Sequence, residues 1–139
     1  MAVKVGGIYW DRSATRQANA ICQEVKSVNG SWDQTDYFVD LAFPTYVADG
    51  EGSDGVVGTG IRPGMIGRKQ RRFIIFIEVP PLLPDRAAYA NWMTEALQQS
   101  AEIVRNYLSR KAKTYPADKL ADEVQSLRDR WVEYIAESA

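Results

Sequence analysis

The chain has no histidine and a single cysteine, Cys22, in 139 residues. These shortages exclude an intrachain disulfide, a zinc site built from cysteine and histidine, and every catalytic scheme that moves protons through imidazole. Carboxylate pairs, carboxylate-held magnesium and serine–lysine or tyrosine chemistry stay open, but they use residues too common to leave a signature. No apolar run approaches the ~18 residues of a membrane span, and the opening MAVKVGGIYW lacks a signal peptide's apolar stretch. A cytoplasmic protein with no membrane partner is therefore expected. An excess of charge of one sign is also missing: 17 basic against 18 acidic side chains give a net charge of −1. No global field draws the protein to nucleic acid or anionic lipid, so any steering must come from local patches.

Apolar residues at 45% and charged residues at 25% are ordinary for a globular protein. The length suits one domain, residues 1–139, closing a single hydrophobic core without a metal or disulfide. Val3–Trp10 alternates and is rich in β-branched and aromatic types, with Gly6-Gly7 placing a weakness or bulge, so it reads as an edge strand. From Ser13 to Val28, apolar residues at Ala14, Ala18, Ile21, Val25 and Val28 recur at helical spacing. Ser13 or Asp11 is the expected cap and Asn29-Gly30 the expected stop. YFVDLAF (37–43) reads as a half-buried strand ended by Pro44.

Strands near 56–62 and 71–79 around a turn at 63–70 make a hairpin with its basic residues at the bend. FIIFI (73–77) has no polar alternation, which predicts a central strand with a helix against each face. After three prolines, Asp85 caps a long helix with an apolar stripe from Tyr89 through Met93 and Leu97 to Leu108. Pro116 opens a last helix striped by Leu120, Val124, Leu127, Trp131, Tyr134 and Ile135. The expected class is α+β: an antiparallel or mixed sheet of about four strands, one N-terminal helix and two long C-terminal helices.

The segment VVGTGIRPGMIGRKQRRFIIFIEVPP, a Thr-Gly hairpin with a basic bend and a second strand ending in Val-Pro before a long helix, resembles immunity proteins of bacterial polymorphic toxin systems. Within that series it is most similar to the family numbered twelve. The resemblance covers roughly the C-terminal two thirds. It implies a cytoplasmic protein that binds and neutralises a cognate protein toxin, and it implies no catalytic residues.

Several groups of residues compete as sites. Arg68, Lys69, Arg71 and Arg72, with Arg62 across the hairpin, could grip phosphate or a carboxylate-rich partner. A solvated hairpin end explains the same charges, and the interleaved aromatics of single-stranded nucleic-acid binding are missing. Nucleic acid is thus disfavoured as a partner. Asp49, Glu51 and Asp54 fail the calcium-loop spacing, which needs glycine at the sixth position and an acid at the twelfth, where this chain has Asp54 and Gly60. They suit an acidic surface for a basic toxin, or a plain linker. Asp36 and Asp40 share a strand face and could form a carboxylate pair, although the polar side of a half-buried strand is the commoner reading. Tyr9, Trp10, Trp32 and Tyr46 lie at element ends, where a ring can anchor a partner. The leading expectation is a non-enzymatic, cofactor-free immunity protein whose partner-binding residues are Asp49, Glu51, Asp54, Arg62, Arg68, Lys69, Arg71 and Arg72. A homodimer stays open. The rivals are a metal-dependent enzyme using carboxylates and a nucleic-acid-binding protein using the hairpin.

Overall fold

A computed structural model describes residues 2–31, 35–46, 56–63, 69–111 and 113–138, with the backbone alone for 56–63, 69, 70 and 111. The elements are β1 (Val3–Trp10), α1 (Arg16–Asn29), β2 (Tyr37–Phe43), β3 (Val56–Pro63), β4 (Lys69–Phe76), α2 (Arg86–Lys111) and α3 (Ala117–Ser138). Strand order across the sheet is β1-β2-β4-β3.

The expected antiparallel or mixed arrangement of about four strands is corrected for the main part of the sheet. Its body is an all-parallel unit of three strands: β1 pairs parallel with β2 in the register Val5↔Val39 and Ile8↔Leu41, and β2 pairs parallel with β4 in the register Val39↔Phe73 and Leu41↔Ile75. The physical reason lies in the connections. Parallel neighbours need a crossover of a dozen or more residues, and the 14-residue α1 supplies it between β1 and β2. The hairpin partner β3 then pairs antiparallel with β4 on the far side, in the register Ile61↔Arg71, which leaves β4 free to lie beside β2.

Helix starts and stops follow local chemistry. The cap of α1 is Thr15 rather than Ser13 or Asp11: its Oγ1 accepts the Ala18 N–H at 3.3 Å. Asp11 instead closes the preceding turn by accepting the Ser13 N–H at 2.9 Å. Gly30, at φ 74°, ends the helix as expected, donating its N–H to the carbonyls of Lys26 and Ser27. Asp85 accepts the Ala88 N–H at 2.9 Å at the start of α2. The stripes predicted on α2 and α3 are buried, with Tyr89, Met93, Leu97, Val104 and Leu108 on one helix and Leu120, Val124, Leu127 and Trp131 on the other.

The three helices pack on one another over a single face of the sheet, where Val39, Leu41, Phe43, Phe73 and Ile75 join their buried side chains in one cluster. Phe73 meets Tyr107 of α2 with ring centroids 5.4 Å apart, and Phe43 meets Trp92 edge-on at 5.5 Å. Glu24 of α1 ties the layer together, accepting from Arg86 of α2 at 2.6 Å and from the Tyr134 hydroxyl of α3 at 2.7 Å. The FIIFI stretch therefore needs correction in one respect. β4 is central, but a helix layer covers only the side bearing Phe73 and Ile75, while Ile74 and Phe76 alternate to the other side and stay half-buried.

Candidate partner-binding surface

Arg71 and Arg72 of the basic hairpin do not share a face. Arg71 and Arg72 are sequence neighbours on a strand, so their side chains leave opposite faces. Arg71 goes to the helix side, where its guanidinium lies 5.5 Å from the centroid of the Tyr37 ring and donates to the Tyr37 hydroxyl at 3.2 Å. Arg72 goes to the other side and forms an ion pair through Nε with the fully buried Asp40. Its charge is spent on structure. For Arg62 and Lys69 the backbone alone is described, at register positions Arg62↔Gln70 and Pro63↔Lys69. Asp49, Glu51, Asp54 and Arg68 lie outside the described residues, as does Trp32.

Asp36 and Asp40 are not a catalytic pair in this geometry. Four residues along a strand span about 13 Å, whereas two carboxylates that share chemistry stand about 5–9.5 Å apart. Each is also committed, because Asp36 accepts the Ala2 N–H at 2.9 Å and Asp40 accepts the Gly7 N–H at 2.7 Å besides Arg72. Among the described residues no group of three or more acidic or cysteine side chains could hold a metal ion. Cys22 is buried in α1, and desolvation pushes its thiol up to about 12, far from the reactive thiolate range.

The glycines beside Asp40 have unequal roles. A Cβ on Gly6 would meet the Asp40 carboxylate and come within 2.6 Å of Phe38 Cδ2, both on fully buried side chains. A Cβ on Gly7 would meet only the Tyr9 ring, which is half exposed and free to turn away. Gly6→Ala is therefore expected to lower unfolding stability by about 1–3 kcal/mol, against about 0–1 kcal/mol for Gly7→Ala. Urea denaturation of the two variants checks this, and equal losses would refute it.

The surface with the best-built exposed anchors lies at the carboxyl ends of the parallel strands, the edge where open α/β sheets place their ligands. Here Tyr46 and Leu82 stand 73% and 79% exposed. Both follow strand ends, β2 in one case and β4 in the other, and each has a neighbouring residue held by a hydrogen bond. Asp11, just past β1, accepts the Thr45 hydroxyl at 2.8 Å, which fixes the residue before Tyr46. The Ser13 N–H and the Thr45 hydroxyl hold the Asp11 carboxyl below its ordinary range, so this clasp is ionised at neutral pH. On the other loop, Val79 N–H donates to Pro44 O at 2.8 Å and Leu83 N–H donates to the buried Tyr89 hydroxyl at 3.1 Å. Thr15 Oγ1 donates to that same hydroxyl at 3.0 Å. With Pro80, Pro81 and Pro84 restricting the backbone, Leu82 is held outward between fixed points.

The aromatic count at element ends pointed to Tyr46, but nothing in the sequence singled out Leu82. Its one signal is a leucine enclosed by prolines in PPLLP (80–84), where a stiff loop has no room to bury it. Compared with protein-family models, curated proteins and solved structures, the chain matches none of them.

Proposed function

We propose that the protein binds another protein and acts by covering its surface, as an immunity protein that neutralises a cognate bacterial toxin. One observation carries the binding half of this reading: Tyr46 and Leu82 are large, exposed apolar side chains, and residues beside each, Thr45 in one case and Val79 and Leu83 in the other, are already held by hydrogen bonds. Pre-fixed anchors lose little conformational entropy on association, and aromatic or aliphatic anchors of this kind dominate interface energetics. The toxin half rests on the resemblance of the hairpin and the helix after it to immunity proteins. No helix among the described residues is long and apolar enough to cross a membrane, which fits a partner met in water.

The test is co-expression with the toxin encoded beside this gene. A stable complex and loss of toxin activity are expected, and Tyr46→Ala combined with Leu82→Ala should weaken the complex by about 30-fold or more, the loss typical of removing interface anchors. A complex of unchanged affinity would move the interface elsewhere, and failure to bind or inhibit the toxin would end the immunity reading. Both side chains are exposed, so an unchanged melting transition in the double variant separates lost binding from lost folding.

A further inference from the structure

The geometry points to a second contact surface beside this edge: a basic groove on α1 that takes an extended, acidic segment of a protein partner. The groove encloses about 770 Å³ and runs along α1 from Asn19 past Gln23, Lys26 and Ser27 to Gly30, with Trp10 and Arg12 on its other wall. Among the described residues its lining holds two cations and no carboxylate. The Lys26 ammonium lies 5.7 Å from the centroid of the Trp10 ring, which holds both at the groove wall.

The shape argues for a chain rather than a small anion. The eleven helical residues Asn19–Asn29 span about 16 Å at 1.5 Å each, the length of about five residues of extended peptide at 3.3 Å each. Charge supplies the second argument. Arg12 and Lys26 both line the groove and stand exposed, so an acidic peptide lying along it can set side-chain carboxylates against each.

Addition of a strand along β1 fits less well. The open margin of β1 is interrupted where the register shifts between Val5 and Ile8, and the Asn29 amide already donates to the carbonyls of Val5 and Gly6. Single-stranded nucleic acid also fits poorly, because it asks for successive stacking rings and the described lining has one, already faced by Lys26. The assignment rests on the partner-binding reading for its class of ligand, but its test needs no toxin.

The test titrates isotope-labelled protein with an acetylated, amidated pentapeptide of alternating glutamate and glycine, followed by amide and indole chemical shifts. Expected are saturable shifts at the Trp10 indole and at Asn19, Gln23 and Lys26. Affinity should fall about tenfold or more in an Arg12→Glu/Lys26→Glu variant, whose exposed substitutions leave the rest of the spectrum in place. No shifts at millimolar peptide, shifts centred on other residues, or an equal response to the lysine counterpart would overturn the assignment. So would tighter binding of a five-nucleotide oligothymidylate. Peptide binding without toxin binding defeats only the immunity reading, and toxin binding without peptide binding defeats only the groove.

Discussion

Replacing Arg72 with alanine should lower the unfolding free energy by about 3–5 kcal/mol, whereas Asp40→Asn should cost only about 1–2 kcal/mol. The asymmetry comes from unequal burial. Asp40 has no side-chain exposure, while the Arg72 side chain is 32% exposed. Without Arg72, the carboxylate stays in the interior and loses the charge that Arg72 set against it, so its desolvation is less compensated. Without the Asp40 charge, the guanidinium can turn toward water, and an asparagine oxygen can still accept the Gly7 N–H. The pH dependence carries a sign. Removing the guanidinium favours protonation of the Asp40 carboxyl relative to the parent protein, so the deficit of Arg72→Ala shrinks as pH falls and grows as it rises. Urea unfolding at neutral and mildly acidic pH measures both effects. Equal losses in the two variants, or a deficit that grows on acidification, would contradict the buried pair.

Trp131→Ala should cost a similar ~3–5 kcal/mol, and Trp131→Phe less than half of that. Trp131 is the largest fully buried side chain, on the stripe by which α3 joins the helix layer, and its ring stacks on Tyr134 at 5.5 Å. Alanine leaves a cavity that the packed helices collapse only partly to fill. Phenylalanine keeps most of the contact and also removes the indole Nε1–H, which is buried without an acceptor. Losing an unpaired buried donor offsets part of the lost packing. Thermal and urea unfolding of the two variants gives the ratio, and a phenylalanine variant as damaged as the alanine one would mean that the indole N–H contributes a bond.

The elements were legible because their periodicity is strong. Leu120, Val124, Leu127 and Trp131 on α3 and the Tyr89–Leu108 stripe on α2 follow directly from helical spacing, and the β3–β4 hairpin follows from its turn. The pairing of the sheet was not legible. Alternation in YFVDLAF states which residues share a face and says nothing of which strand lies beside it, so the parallel β1-β2-β4 body emerges only from the crossover through α1. The charge run at the hairpin was legible as a run only: strand geometry sends two of its members, Arg71 to Tyr37 and Arg72 to Asp40, on opposite faces. The pairing of Asp36 with Asp40 failed on distance, which a shared face does not reveal. Leu82 escaped notice because an exposed leucine has no pattern; only the pinning of Val79 and Leu83 makes its position meaningful.

The account's central claim is that the carboxyl edge of the parallel strands meets a partner. Hydrogen exchange on the complex with the neighbouring gene's toxin tests it most directly. The predicted result is new protection at 10–12, 45–46 and 82–83, with the outward faces of α2 and α3 exchanging as in the free protein. Protection confined to those helix faces, with the carboxyl edge unchanged, would contradict it.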